Sequence, residues 1–136
     1  MSIGAWDPNE EQQTEAFSPN AEQLALFISL SRDDKLENLA EYVDSQQQTD
    51  WRPVMKLERE FWLTKAADFN EDELNHLIRF FTQAEMLLPG WEAAELSPVI
   101  GLVKALRKRG TPPAKELLLW IKDKSNNRFL PNGPLI

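Results

Sequence analysis

The chain of 136 residues is 42% hydrophobic and 27% charged, carries a net charge of −7 and has no cysteine. That composition fits one globular domain with a sizeable core; it excludes disulfides, thiol nucleophiles and cysteine-held zinc or iron–sulfur sites. The charge is split: residues 1–50 hold two cations against eleven carboxylates, residues 51–96 five against nine, and residues 97–136 eight against two.

Residues 1–18 are acidic, rich in Gln and without helical periodicity, so a flexible acidic arm is expected there, with Trp6 and Phe17 able to dock. The first residues lack the basic start and apolar stretch of a secretory leader. No later apolar run reaches membrane-spanning length. The expected location is the cytoplasm, with no membrane partner.

Residues 19–136 read as a single all-α domain, a compact bundle of about six helices in three hairpins. Asn20 and Gln23 form a capping box that opens a helix over about 20–30, striped by Leu24, Phe27 and Ile28. Leu36, Leu39, Ala40 and Val43 stripe a second helix, over about 31–46. The polar run Gln46–Thr49 reads as a loop, and Asp50 as the cap of a third helix with Pro53 in its first turn. Asn70 and Glu73 make a second capping box, stapled by Phe69 and Leu74, for a fourth helix that ends at Pro89-Gly90. A connector with one helical turn spans 91–96. Ser97-Pro98 opens a fifth helix that stops at Gly110, and Thr111-Pro112 repeats that start for a sixth, over about 112–125. The tail 126–136, with Pro131, Gly133 and Pro134, is expected to be irregular.

Lys104, Arg107, Lys108 and Arg109 are the only basic cluster. They can steer an acidic partner, complement the dipole at a helix end, or contact phosphate. Nucleic acid is the weaker reading because the acidic remainder of the chain repels a polyanion. Leu119 and Trp120 fall outside the main stripe of the sixth helix, and with Phe129 of the tail they offer an apolar contact surface. The plainer reading has Phe129 and Leu130 folding back over Trp120. Glu85 lies on the apolar face of the fourth helix. There a carboxylate needs an ion pair, an outlet to water, or a role as an acid or partner-binding group.

Glu73 and His76 have the Glu-x-x-His spacing of carboxylate metal sites, but His76 is the only histidine and points away from the apolar stripe. No metal and no cofactor are expected, and a Ser–His–Asp constellation finds only generic neighbours around His76. No Gly-rich phosphate loop or nucleophile elbow occurs. The expected function is therefore a non-catalytic protein-interaction or regulatory module. Its partner is another protein, an acidic one or a second copy of the chain, engaged through Lys104, Arg107, Lys108, Arg109, Leu119, Trp120 and Phe129. A nucleic-acid-associated factor ranks second, and a small enzyme or metal protein third.

Overall fold

The structure, a computed structural model, describes residues 19–133. The expected acidic arm and the last three residues of the tail lie outside the described residues. Seven α-helices and no strand occur among them: α1 Ala21–Arg32, α2 Leu39–Tyr42, α3 Ser45–Trp51, α4 Arg59–Lys65, α5 Glu71–Leu87, α6 Pro98–Lys108 and α7 Lys115–Lys124. The fold is all-α, as composition and periodicity require.

Local chemistry explains the boundaries. The capping boxes of Asn20 with Gln23 and Asn70 with Glu73 both form, each satisfying two backbone donors that the first turn leaves free. Ser97 caps α6 through Val99 N at 3.2 Å, with Pro98 in the first turn. Gly110 has φ of 85° and closes α6, with its N–H donating to Arg107 O and the N–H of Thr111 to Leu106 O. That is a Schellman motif, and its left-handed residue favours glycine.

Three expectations fail for identifiable reasons. Asp34, at φ of 61°, ends α1 with the same pair of hydrogen bonds, Lys35 N to Leu30 O and Asp34 N to Ser31 O. Aspartate tolerates this conformation, so no helix starts at Ser31. The region expected as a second helix is instead a tight turn at Leu36–Asn38 and the short α2. The presumed loop Gln46–Thr49 is helical, because Asp44 and Gln47 form a third capping box; Asp50 accepts from Gln46 within α3 rather than capping a helix. The sixth helix starts at Lys115 and not at Pro112. The Thr111 N–H already serves α6, and Pro113 forces the residue before it out of helical geometry.

Sequence-adjacent hairpins are not the packing units. α1 and α7 lie against α5, and α6 lies against both α4 and α5. The reason is α5 itself: Phe80 through Glu85 are all buried, so these six residues are covered on every side, and exposure returns only at Met86 and Leu87. Phe80 stacks on Phe27 of α1 at 4.0 Å and meets Phe81 and Trp91 edge to face. α4 and α6 approach closely at Gly101, where a Cβ would lie 2.9 Å from Trp62 Cβ.

The segment after α5 and the tail are tied down by polar contacts. Trp91 is fully buried and its indole donates to Gln48 O. Lys56 donates to Glu92 O and Arg59 to Glu95 O. Leu130 and Pro131 are buried, so this part of the tail belongs to the core.

Candidate functional site

Lys104, Arg107 and Lys108 on α6 and Arg109 at its C-cap are all exposed, but they divide into two pairs. Arg109 donates to Ala66 O at 2.7 Å and to Phe69 O at 2.9 Å, closing the backbone of the turn between α4 and α5. Arg107 donates to Asn132 Oδ1 at 2.6 Å and holds the tail. Lys104 and Lys108, one helical turn apart, make no ion pair among the described residues. A groove of about 310 Å³ between α4 and α6 is lined by Leu63, Ala66, Ala67 and Ala105 together with Glu60, Thr64, Lys108 and Arg109. Sequence periodicity did not reveal this groove, because it depends on how α4 crosses α6.

The two pairs separate in a stability measurement. Arg109→Ala removes two charge-assisted hydrogen bonds and is expected to cost about 1 kcal/mol. Lys104→Ala and Lys108→Ala are expected to stay within about 0.5 kcal/mol of the parent in urea unfolding, as surface changes do.

The apolar surplus is distributed rather than gathered. Leu119 is 57% exposed. Trp120 is half-buried under the Arg79 guanidinium, 5.0 Å from its ring. Phe129 is half-buried with Arg128 over its face, and the tail buries Leu130. Of the three apolar residues put forward, only Leu119 stands largely free.

Glu85 is 6% exposed. Among the described residues no cation pairs with it. Its Oε2 accepts from Ala93 N at 2.9 Å, Ala94 N at 3.2 Å and Asn127 Nδ2 at 2.9 Å. Successive N–H groups converge on one oxygen because Ala94 takes a left-handed backbone, φ 50°, which forms an anion-binding nest. Asn127 also donates to Ala94 O and accepts from Phe129 N. One carboxylate thus joins α5, the 93–94 turn and the tail. The partner-ready position of Glu85 was legible from the helical wheel; Asn127 and the nest were not.

His76 is not a plain surface residue. Its Nδ1 lies 2.7 Å from Ser31 Oγ of α1, and its Nε2 lies 3.6 Å from Asp72. These neighbours replace the generic ones expected. Asp72 is 64% exposed and bound to Arg32 at 2.7 Å, a hydrogen bond that holds its carboxyl below the usual range. The long Nε2 contact leaves the imidazole without the carboxylate orientation that a nucleophilic triad uses. The cluster pins α1 to α5.

Burial lowers the His76 pKa from its ordinary value of 6.5; Asp72 opposes the shift, and Arg32 and Arg79 add to it. The native state then binds fewer protons than the unfolded chain, so stability rises with pH across this titration. Thermal stability is expected to fall between about pH 7.5 and pH 5.5, and His76→Gln to flatten that part of the profile.

Among the described residues no helix is long and apolar enough to cross a membrane, and no group of three or more His, Cys, Asp or Glu is placed to hold a metal ion. No family model matches the chain, and the comparisons with curated proteins and with solved structures found no match.

Proposed function

We propose that the protein is an interaction module that receives an acidic segment of a partner protein on the α4–α6 face. One observation carries this reading: Lys108, on the edge of a groove lined largely by Leu63, Ala66, Ala67 and Ala105, and Lys104, one helical turn before it, are exposed and without an acidic partner among the described residues. The lysines steer the segment, and the groove accepts one small apolar side chain. Arg109 borders the groove with its guanidinium engaged by Ala66 O and Phe69 O, and Arg107 is held by Asn132 away from it. Leu119 offers a separate apolar contact on α7.

A fluorescent peptide of glutamates around a single leucine tests the reading by anisotropy. Lys104→Glu/Lys108→Glu is expected to weaken its binding about tenfold, and added salt to weaken the parent interaction. Equal affinity in the parent and the double variant overturns the assignment. A single-stranded oligonucleotide serves as the comparison. Tighter binding of the oligonucleotide, with a steep salt dependence, supports the nucleic-acid reading instead.

A further inference from the structure

The α4–α6 face carries an excess of positive charge. Among the residues lining its groove, Lys108 and Arg109 stand against one carboxylate, Glu60. The hydrogen bonds of Arg109 go to neutral carbonyl oxygens, so its charge is not cancelled. The opposite charge is found in the same chain. Residues 1–18, which precede the described ones, hold Asp7, Glu10, Glu11 and Glu15 and no Lys or Arg. Three of those four carboxylates fall within five residues, with the apolar Ile3 and Trp6 just before them.

We propose, resting on the reading of the α4–α6 face as an acceptor of acidic segments, that the stretch Asp7–Glu11 of this same chain occupies that face and competes there with the partner. Reach decides which carboxylates take part. α1 runs antiparallel to α5, since Ser31 meets His76 and Phe27 stacks on Phe80. Pro19 and Asn20 therefore lie at the C-terminal end of α5. The groove lies at its N-terminal end, beside the turn that Ala66 and Ala67 open. The 17 residues of α5 separate the two by about 25 Å along the axis, and the spacing of packed helices adds an offset of about 10–20 Å. A chain spans at most about 3.5 Å per residue. Glu15, four residues before Pro19, reaches about 14 Å and falls short. Glu11, Glu10 and Asp7 reach about 28, 31 and 42 Å, and their side chains with those of the lysines close the remaining gap. Covalent attachment holds these carboxylates near the lysines at an effective concentration of about millimolar. Weak surface ion pairs then suffice for a partial occupancy that a partner must displace.

The test uses the isotopically labelled full chain. Asp7→Asn/Glu10→Gln/Glu11→Gln is expected to move the amide signals of Leu63, Ala67, Lys104 and Lys108, and Glu15→Gln to leave them in place. In a Lys104→Gln/Lys108→Gln background the same triple substitution should no longer move Leu63 and Ala67. The triple variant should bind the glutamate–leucine peptide about threefold more tightly than the parent, the acidic stretch covering the face for about two thirds of the time. Tenfold dilution should leave the parent spectrum unchanged, as a contact within one molecule requires. Dilution-dependent shifts assign the contact to a second copy and overturn the proposal. Amides unmoved by the triple substitution overturn it as well; if the peptide still binds the face, the partner reading stands without it. Amides moved by the triple substitution, with no peptide binding to parent or variant, support the internal contact and overturn the partner reading instead.

Discussion

Glu85→Ala is expected to destabilise the fold by about 2–4 kcal/mol, the largest effect of any polar substitution in this chain. The alanine leaves the N–H groups of Ala93 and Ala94 and the Asn127 amide without their shared acceptor. Each is a hydrogen bond to a carboxylate, stronger than a neutral one. Water entering from the surface groove that Glu85 and Asn127 border offsets part of the loss. Hydrogen exchange at Ala93 and Ala94 should accelerate beyond the global change, because the nest loses the anion that holds it. Asn127→Ala should cost less, about 1–2 kcal/mol. The double variant should cost less than the two single changes together, since both remove one interaction. Additive losses would show that the node does not act as a unit.

Phe80→Ala is expected to cost about 3–5 kcal/mol, in line with large-to-small changes at fully buried aromatics. Phe80 is fully buried, stacks on Phe27 of α1 and meets Trp91 edge to face. It therefore joins the first helix and the segment after α5 to the central one. Few side chains can collapse into the space it leaves, because Phe27, Phe81 and Trp91 are themselves held by further contacts. Phe80→Leu keeps much of the volume and should cost roughly half as much. Urea unfolding of the pair checks both the magnitude and the order. A loss below about 1 kcal/mol for Phe80→Ala would contradict the central place of α5 in the core.

Signals that depend on neighbouring residues alone were readable. The boxes at Asn20 and Asn70, the Ser97-Pro98 start and the Gly110 stop lie where the residues put them, because each is settled within one helical turn. Asp44 with Gln47 carries the same signal but sits inside a polar run, where a loop is the easier reading. The end of α1 at Asp34 was hidden because aspartate, unlike glycine, does not announce a left-handed residue. Thr111-Pro112 has the residues of a start but is not one: Pro113 holds the residue before it out of helical geometry, and the helix opens at Lys115.

The candidate surfaces divide along the same line. Exposure of Lys104 and Lys108 follows from the amphipathic pattern of α6. That Arg107 and Arg109 reach Asn132, Ala66 and Phe69 does not, since those partners lie between twenty-five and forty-three residues away in sequence. The Ser31–His76 contact between α1 and α5 is invisible for the same reason. Glu85 shows both halves: its helical position marked it as needing a partner, and only the folded chain supplied Ala93, Ala94 and Asn127.

Assignment of the interaction surface to the α4–α6 face is tested most directly by mapping the bound glutamate–leucine peptide on isotopically labelled protein. Amide shifts concentrated at Leu63, Ala67, Lys104 and Lys108 are the predicted result, with the Ser31–His76 contact undisturbed. Shifts centred instead on Leu119, Trp120 and Phe129, or no shifts at saturating peptide, would contradict it.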